Sequence, residues 1–221
     1  MSRFPSLVCT LAFVAAAGFL AGNAAQAQIP AFAAASGVPP AKGEQIAVFA
    51  GGCFWGVDAV FKHVQGVSSV VSGYSGGGAA TARYGVVSTG MTGHAESVKI
   101  TYDPSQISYS ELLRIFFSVA HDPTQLNRQG PDVGSQYRSV VFYGTPEQHT
   151  AAVAMIAELE RATAYPRPIV TEVVPFERFF PAEAYHQDYL AHHLTSPYIL
   201  YNDLPKLKRL EERFPKLYQR P

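Results

Sequence analysis

The chain has 221 residues, enough for one domain with a sizeable core. With 48% hydrophobic, 12% aromatic and 15% charged residues, its composition is globular and excludes disorder over most of the length. Lys plus Arg and Asp plus Glu number 17 each, so no net field draws in nucleic acid or anionic lipid, and no nucleic-acid partner is expected.

After Arg3 no charged residue occurs until Lys42. Within that stretch residues 11–20 read LAFVAAAGFL, and Ala25-Gln26-Ala27 has the small-x-small form of a cleavage site. Residues 1–27 are therefore expected to be a secretory signal peptide that exports the protein, to the periplasm, with no membrane contact after cleavage. A membrane anchor that stays attached is the competing reading, although the apolar core is short for a span of about 20 residues. If cleavage follows Ala27, Cys9 is lost and the mature chain keeps one cysteine, Cys53. An unpaired cysteine in an exported protein is either an inert core residue or a working thiol.

Residues 28–43 are rich in Ala, Pro and Gly and read as a flexible leader. Residues 46–50 form a short apolar run bounded by glycine, consistent with a buried strand. Beyond Cys53, apolar residues at Phe54, Val57, Val60, Phe61 and Val64 have helical spacing. Residues 67–74 and 95–102 read as two further strands. Ser108 and Glu111 form a capping box opening a helix whose apolar stripe is Tyr109, Leu112, Leu113, Phe116 and Phe117. Residues 139–143 are a strand, Thr145-Pro146 opens another helix, and 169–174 is the last strand. The order predicts an α+β fold, a ferredoxin-like α/β sandwich with a mixed sheet and an irregular C-terminal extension. The domain is expected over 44–202, with a tail at 203–221. The long polar connection at 121–138 is expected to be functional.

Cys53 lies in Gly51-Gly52-Cys53-Phe54-Trp55-Gly56, between a buried strand and a helix start. The glycines allow a tight turn, and the positive end of a helix dipole favours thiolate, the nucleophilic form. Phe54 and Trp55 could be ordinary core, or an aromatic wall suited to an apolar group such as a methyl. Strand alternation puts Glu96 on the face of Val98 and Ile100. A carboxyl buried there would hold its proton near neutrality and act as an acid; a strand-end Glu reaching solvent fits the same spacing.

These residues also carry a family resemblance. GGCFWG at 51–56, GY-S-GG at 73–77, GHAE at 93–96, YDP at 102–104, HDPTQ-NRQG-D-G-QYRS at 121–139 and FFPAE-YHQDYL at 179–190 together resemble the A-type peptide-methionine sulfoxide reductases. The resemblance implies that Cys53 is the nucleophile, that Phe54 and Trp55 receive the substrate's S-methyl group, and that Glu96 protonates the sulfoxide oxygen. It implies that Tyr84, Asp132 and Tyr137 help hold that oxygen or an ordered water. The substrate would be the S epimer of methionine sulfoxide, free or in proteins, and no metal or organic cofactor would be needed.

The chain departs from many relatives in having no cysteine in its tail and Val87 where others have cysteine. Cys53 sulfenic acid is then expected to be reduced by an external thiol, from a thioredoxin-like or glutaredoxin-like protein or a small thiol, with the enzyme a monomer. Three other readings stand beside this one. A cysteine hydrolase would pair Cys53 with His94, His121 or His186. A metal site would use His186, Asp188, His192 and His193. A binding module would recognise oxidised methionine without turnover.

Overall fold

The computed structural model describes residues 43–220; the expected signal peptide at 1–27 and nearly all of the leader at 28–43 lie outside the described residues. Strand β1 (Gln45–Gly51) is buried on both faces, Ala47 and Phe49 entering one core cluster and Val48 and Ala50 another. That is why its sequence is continuously apolar rather than alternating. Next come α1 (Phe54–Lys62), β2 (Val67–Ser75), the four-residue helix α2 (Tyr84–Val87) and β3 (Ala95–Tyr102). Helix α3 (Tyr109–Ile115) widens into a π-helical turn at Phe116–Ala120, followed by the two-residue strands β4 (Arg128–Gln129) and β5 (Asp132–Val133). The rest is β6 (Ser139–Tyr143), α4 (Pro146–Arg161), β7 (Glu172–Pro175), β8 (Phe179–Pro181), α5 (Tyr189–His192) and α6 (Leu204–Arg213).

The six-stranded sheet has the order β7-β6-β1-β3-β2-β8. Its inner four strands are antiparallel neighbours, and α1 and α3 make the two crossovers of a ferredoxin-like βαββαβ unit. β7 joins β6 in parallel and β8 joins β2 antiparallel, which makes the sheet mixed. The main core lies between the sheet and its helices. There Phe49 stacks on Phe116 with ring centroids 4.8 Å apart and meets Phe61 at 5.7 Å. Each such buried ring contributes about 1.5–3 kcal/mol.

The helix starts read at Ser108 and Thr145 carry side-chain caps, whereas α1 begins at Cys53 without one. Ser108 and Glu111 make both arms of the capping box on α3. Thr145 accepts the Gln148 N–H at the start of α4, but the Gln148 side chain goes elsewhere. It accepts from the Gly144 N–H and donates to the Ile46 carbonyl, tying α4 to β1.

Three segments differ from expectation. The strand expected at 169–174 joins the sheet only at Glu172, opposite Val140, as the edge strand β7, and the Val170 N–H bonds to the Pro123 carbonyl instead of entering the sheet. The connection at 121–138 contains the β4–β5 hairpin and a 3₁₀ turn, so it is a folded excursion. Residues 203–220, expected as a tail beyond the domain, are part of it: α6 buries Leu210, and Val64 pairs with Tyr218. The helical spacing of Leu204, Leu207 and Leu210 accounts for this packing.

Candidate active site

Cys53 is the cap residue of α1, placed where β1 ends and the helix begins. Gly52 before it has φ +88°, and a Cβ there would sit 2.5 Å from Cγ of Gln129. A glycine is therefore needed both for the turn and for the 121–138 excursion to close over it. Gln129 holds that excursion by accepting the Asp122 N–H (3.1 Å) and donating to the Asp122 carbonyl (3.0 Å).

The Cys53 thiol is 8% exposed and is not lowered toward thiolate as its helix position suggests. Burial, then the charges of Glu96 and Asp203, push it well up; the Trp55 N–H and Lys206 oppose them. The magnitudes decide this: a helix terminus contributes about 0.3–1 kcal/mol, whereas full burial shifts a group by up to roughly 3–5 pKa units. Cys53 therefore rests as a thiol.

Glu96 is only 2% exposed, on the face of β3 directed at α1, and its carboxyl accepts the Phe54 N–H at 3.1 Å. Burial pushes it up to about 8, against the lowering effect of that hydrogen bond, with a smaller contribution from Asp132. It therefore carries a proton at neutral pH, as expected for the buried alternative. An acid stands beside a thiol.

Trp55 keeps part of its surface, and its ring is fixed from several sides. It stacks on Tyr189 at 3.6 Å and 7°, meets the edge of Tyr198 at 5.8 Å, and donates from Nε1 to Nδ1 of His186 at 3.1 Å. Accepting that bond requires a neutral imidazole, and burial lowers the His186 pKa accordingly. Phe54 is 1% exposed, between Tyr74 and His186, so it buttresses the wall more than it lines it.

The other expected site residues come to the same place from distant elements. Tyr84 packs its ring 4.4 Å from His186. Burial and then the Glu96 carboxyl push Tyr84 and Tyr137 up, so both remain protonated donors near Cys53. Asp132 accepts from the Tyr198 hydroxyl at 2.5 Å, and its pKa is raised by burial. A cleft of about 200 Å³ reaches Cys53 between Asp132, Tyr198 and Lys206. Sequence reasoning missed Tyr198, Asp203 and Lys206. Their one signal was an Asp-x-x-Lys pair among residues at helical spacing.

Both ring nitrogens of His121 bond to other groups, and the ring nitrogens that remain on His94 (Nδ1) and His186 (Nε2) are buried with no hydrogen-bond partner among the described residues. His94 meets the Gly78 carbonyl, His121 meets the Phe116 carbonyl and the Ser139 hydroxyl, and His186 is taken by Trp55. A hydrolase pairing therefore has no geometric support. The residues of the metal reading diverge: Asp188 binds Lys62, while His192 and His193 bond to backbone carbonyls. No group of three or more metal-ligating side chains converges among the described residues.

A family model described as peptide methionine sulfoxide reductase matches residues 45–218. A peptide methionine sulfoxide reductase from Mesorhizobium japonicum is 57% identical over 178 residues, covering 80% of this chain and 91% of that one. One from Synechocystis sp. is 56% identical over 174 residues, covering 79% and 81%. Among solved structures, methionine sulfoxide reductase A of Corynebacterium diphtheriae aligns with TM-score 0.63 and 32% identity, over 71% of this chain and 78% of that one. Reduced Mxr1 from Saccharomyces cerevisiae aligns with TM-score 0.63 and 30% identity, over 69% and 87%. With its thiol, buried acid and aromatic wall gathered at the start of α1, the chain belongs to the peptide methionine sulfoxide reductase family.

Proposed function

We propose that this methionine sulfoxide reductase acts on the S epimer, free or in proteins, through a Cys53 sulfenic acid that an external thiol reduces. The observation that carries this is the neutral Glu96 carboxyl, buried and hydrogen-bonded to Phe54 N–H, the residue next to the thiol. Trp55 offers an apolar wall to the methyl group. Glu96, with the Tyr84 and Tyr137 hydroxyls, offers protons to the oxygen. Fixing methyl and oxygen leaves two positions for the remaining substituent and the lone pair, which the epimers exchange, so one epimer is taken where the site admits the chain on one side alone; the resemblance assigns S.

The Cys53 sulfur attacks the sulfoxide sulfur as Glu96 protonates the oxygen. The proton lost by Cys53 restores Glu96, and the oxygen moves to Cys53. Thioether and Cys53–SOH result: the substrate sulfur gains two electrons and Cys53 loses them. An external thiol then attacks Cys53–SOH, releasing water and leaving a mixed disulfide. A second thiol frees Cys53. Val87 and the cysteine-free stretch 203–221 offer no internal alternative. The reductant is a thioredoxin-like or glutaredoxin-like protein or a small thiol.

Residues 1–27 support export, and the role is then repair of oxidised exported proteins. N-terminal sequencing of the secreted chain should begin at Gln28. Incubation of racemic methionine sulfoxide with enzyme and dithiothreitol should consume half of it, leaving the R epimer. Consumption of both epimers, or of neither, contradicts the reading.

A further inference from the structure

Asp203 and Lys206 form a buried ion pair that the sulfoxide chemistry above does not use. Their side chains meet at 3.1 Å, with Asp203 0% and Lys206 8% exposed. The second carboxylate oxygen of Asp203 is buried with no hydrogen-bond partner. Such pairs are costly, and replacing one with apolar residues is often neutral or stabilising. A structural purpose alone accounts poorly for it.

Its position is specific. A Cβ on Gly56 would lie 2.1 Å from Oδ1 of Asp203 and 2.5 Å from Nζ of Lys206. The pair thus packs directly on the backbone of the first turn of α1, three residues after Cys53. Glycine at 56 leaves the room it needs. Lys206 also lines the cleft that reaches Cys53.

We propose that the Asp203–Lys206 pair is a positioning device that sets the charge state of Cys53: Lys206 stabilises the thiolate and Asp203 holds and attenuates that cation. This rests on Cys53 being the nucleophile. Around Cys53 stand Glu96 from β3, Tyr84 from α2, Tyr137, Asp132 and His121 from the 121–138 excursion, and Tyr198 ahead of α6. Glu96, Asp132 and Asp203 are acids, and the phenols stay neutral. Arg209 lines the cleft too, but its guanidinium meets the Val119 carbonyl at 3.4 Å. Among the described residues around the cleft, Lys206 is thus the cation set against the helix start, opposing in part the burial that keeps the sulfur protonated.

The test is the rate of Cys53 alkylation by iodoacetamide against pH, read by peptide mass spectrometry on the full chain with no sulfoxide present. It therefore reports on the thiol even if the sulfoxide reading were wrong. Lys206→Met should move the midpoint to higher pH and slow alkylation at pH 8 about tenfold, while Lys206→Arg keeps the wild-type rate. Asp203→Asn leaves the cation unattenuated and should move the midpoint the other way. A shared structural role predicts shifts of the same sign, since both variants break one contact. Opposite signs support the proposal; equal signs or no shifts overturn it. Should Asp203→Asn fail to fold, the Met and Arg variants at 206 decide. A tenfold gap supports the proposal and equal rates overturn it.

Discussion

The carboxyl of Glu96 accepts the backbone N–H of Phe54 at 3.1 Å, which locks the acid of β3 onto the first helical residue after Cys53. The sheet thus holds the carboxyl and the helix start the thiol. Because Glu96 is pushed up to about 8, its carboxyl is protonated at neutral pH.

The single-turnover rate of methionine formation should fall as pH rises through about 8, because the proton donor is lost. Glu96→Gln should lower the rate about 10²–10⁴-fold and remove that alkaline fall. Rapid-quench kinetics between pH 6 and 10 check both. A Gln variant that keeps the alkaline fall would assign it to another group.

Glu96 should also cost stability. Its folded pKa is raised, so the folded state binds more protons than the unfolded one between about 4.5 and 8, and stability falls as pH rises across that window. Glu96→Gln should therefore be more stable than wild type at pH 8.5, by on the order of a few kcal/mol, and melt higher, with the gap closing below pH 4.5. Thermal melts at the two pH values measure it. A variant less stable at pH 8.5 would contradict the burial argument.

His186→Ala removes the acceptor of Trp55 Nε1 and the ring lying between Phe54 and Tyr84. The wall loosens while thiol and acid remain. Steady-state kinetics should show KM raised about 5–30-fold, the equivalent of 1–2 kcal/mol, and a smaller change in kcat. A fall in kcat with KM unchanged would instead place His186 in the chemical step.

Gly52→Ala puts a Cβ where φ is +88° and against the Gln129 side chain. The Gln129–Asp122 clasp must then open. Stability should drop by about 1–3 kcal/mol in denaturant melts. The chemical step should slow as well, because the excursion carries Asp132 and Tyr137. An unchanged melt would show that the clasp does not depend on glycine.

The inner strands and the helices at 54, 108 and 145 were legible because periodicity and caps are local signals. So was the place of Cys53, glycine-flanked at a helix start; for Glu96, strand alternation left a buried acid and a strand-end residue reaching solvent equally open, and the structure buries it. The thiol's charge state was not legible. A dipole can be read from a helix start, but burial depends on what folds over it. Tyr198, Asp203 and Lys206 were hidden for a related reason. They reach Cys53 only because α6 docks on α1, a contact between segments some 150 residues apart in a chain of 221. The shape of 121–138 was obscure because polar hairpins of two-residue strands carry little periodicity.

Mass spectrometry of the mature enzyme after one turnover, without reductant and with a sulfenic-acid trap, tests the central claim most directly. The expected result is one methionine formed per enzyme and a single trapped adduct, on the peptide containing Cys53. An internal disulfide, or methionine formed at the same rate by Cys53→Ser, would contradict it.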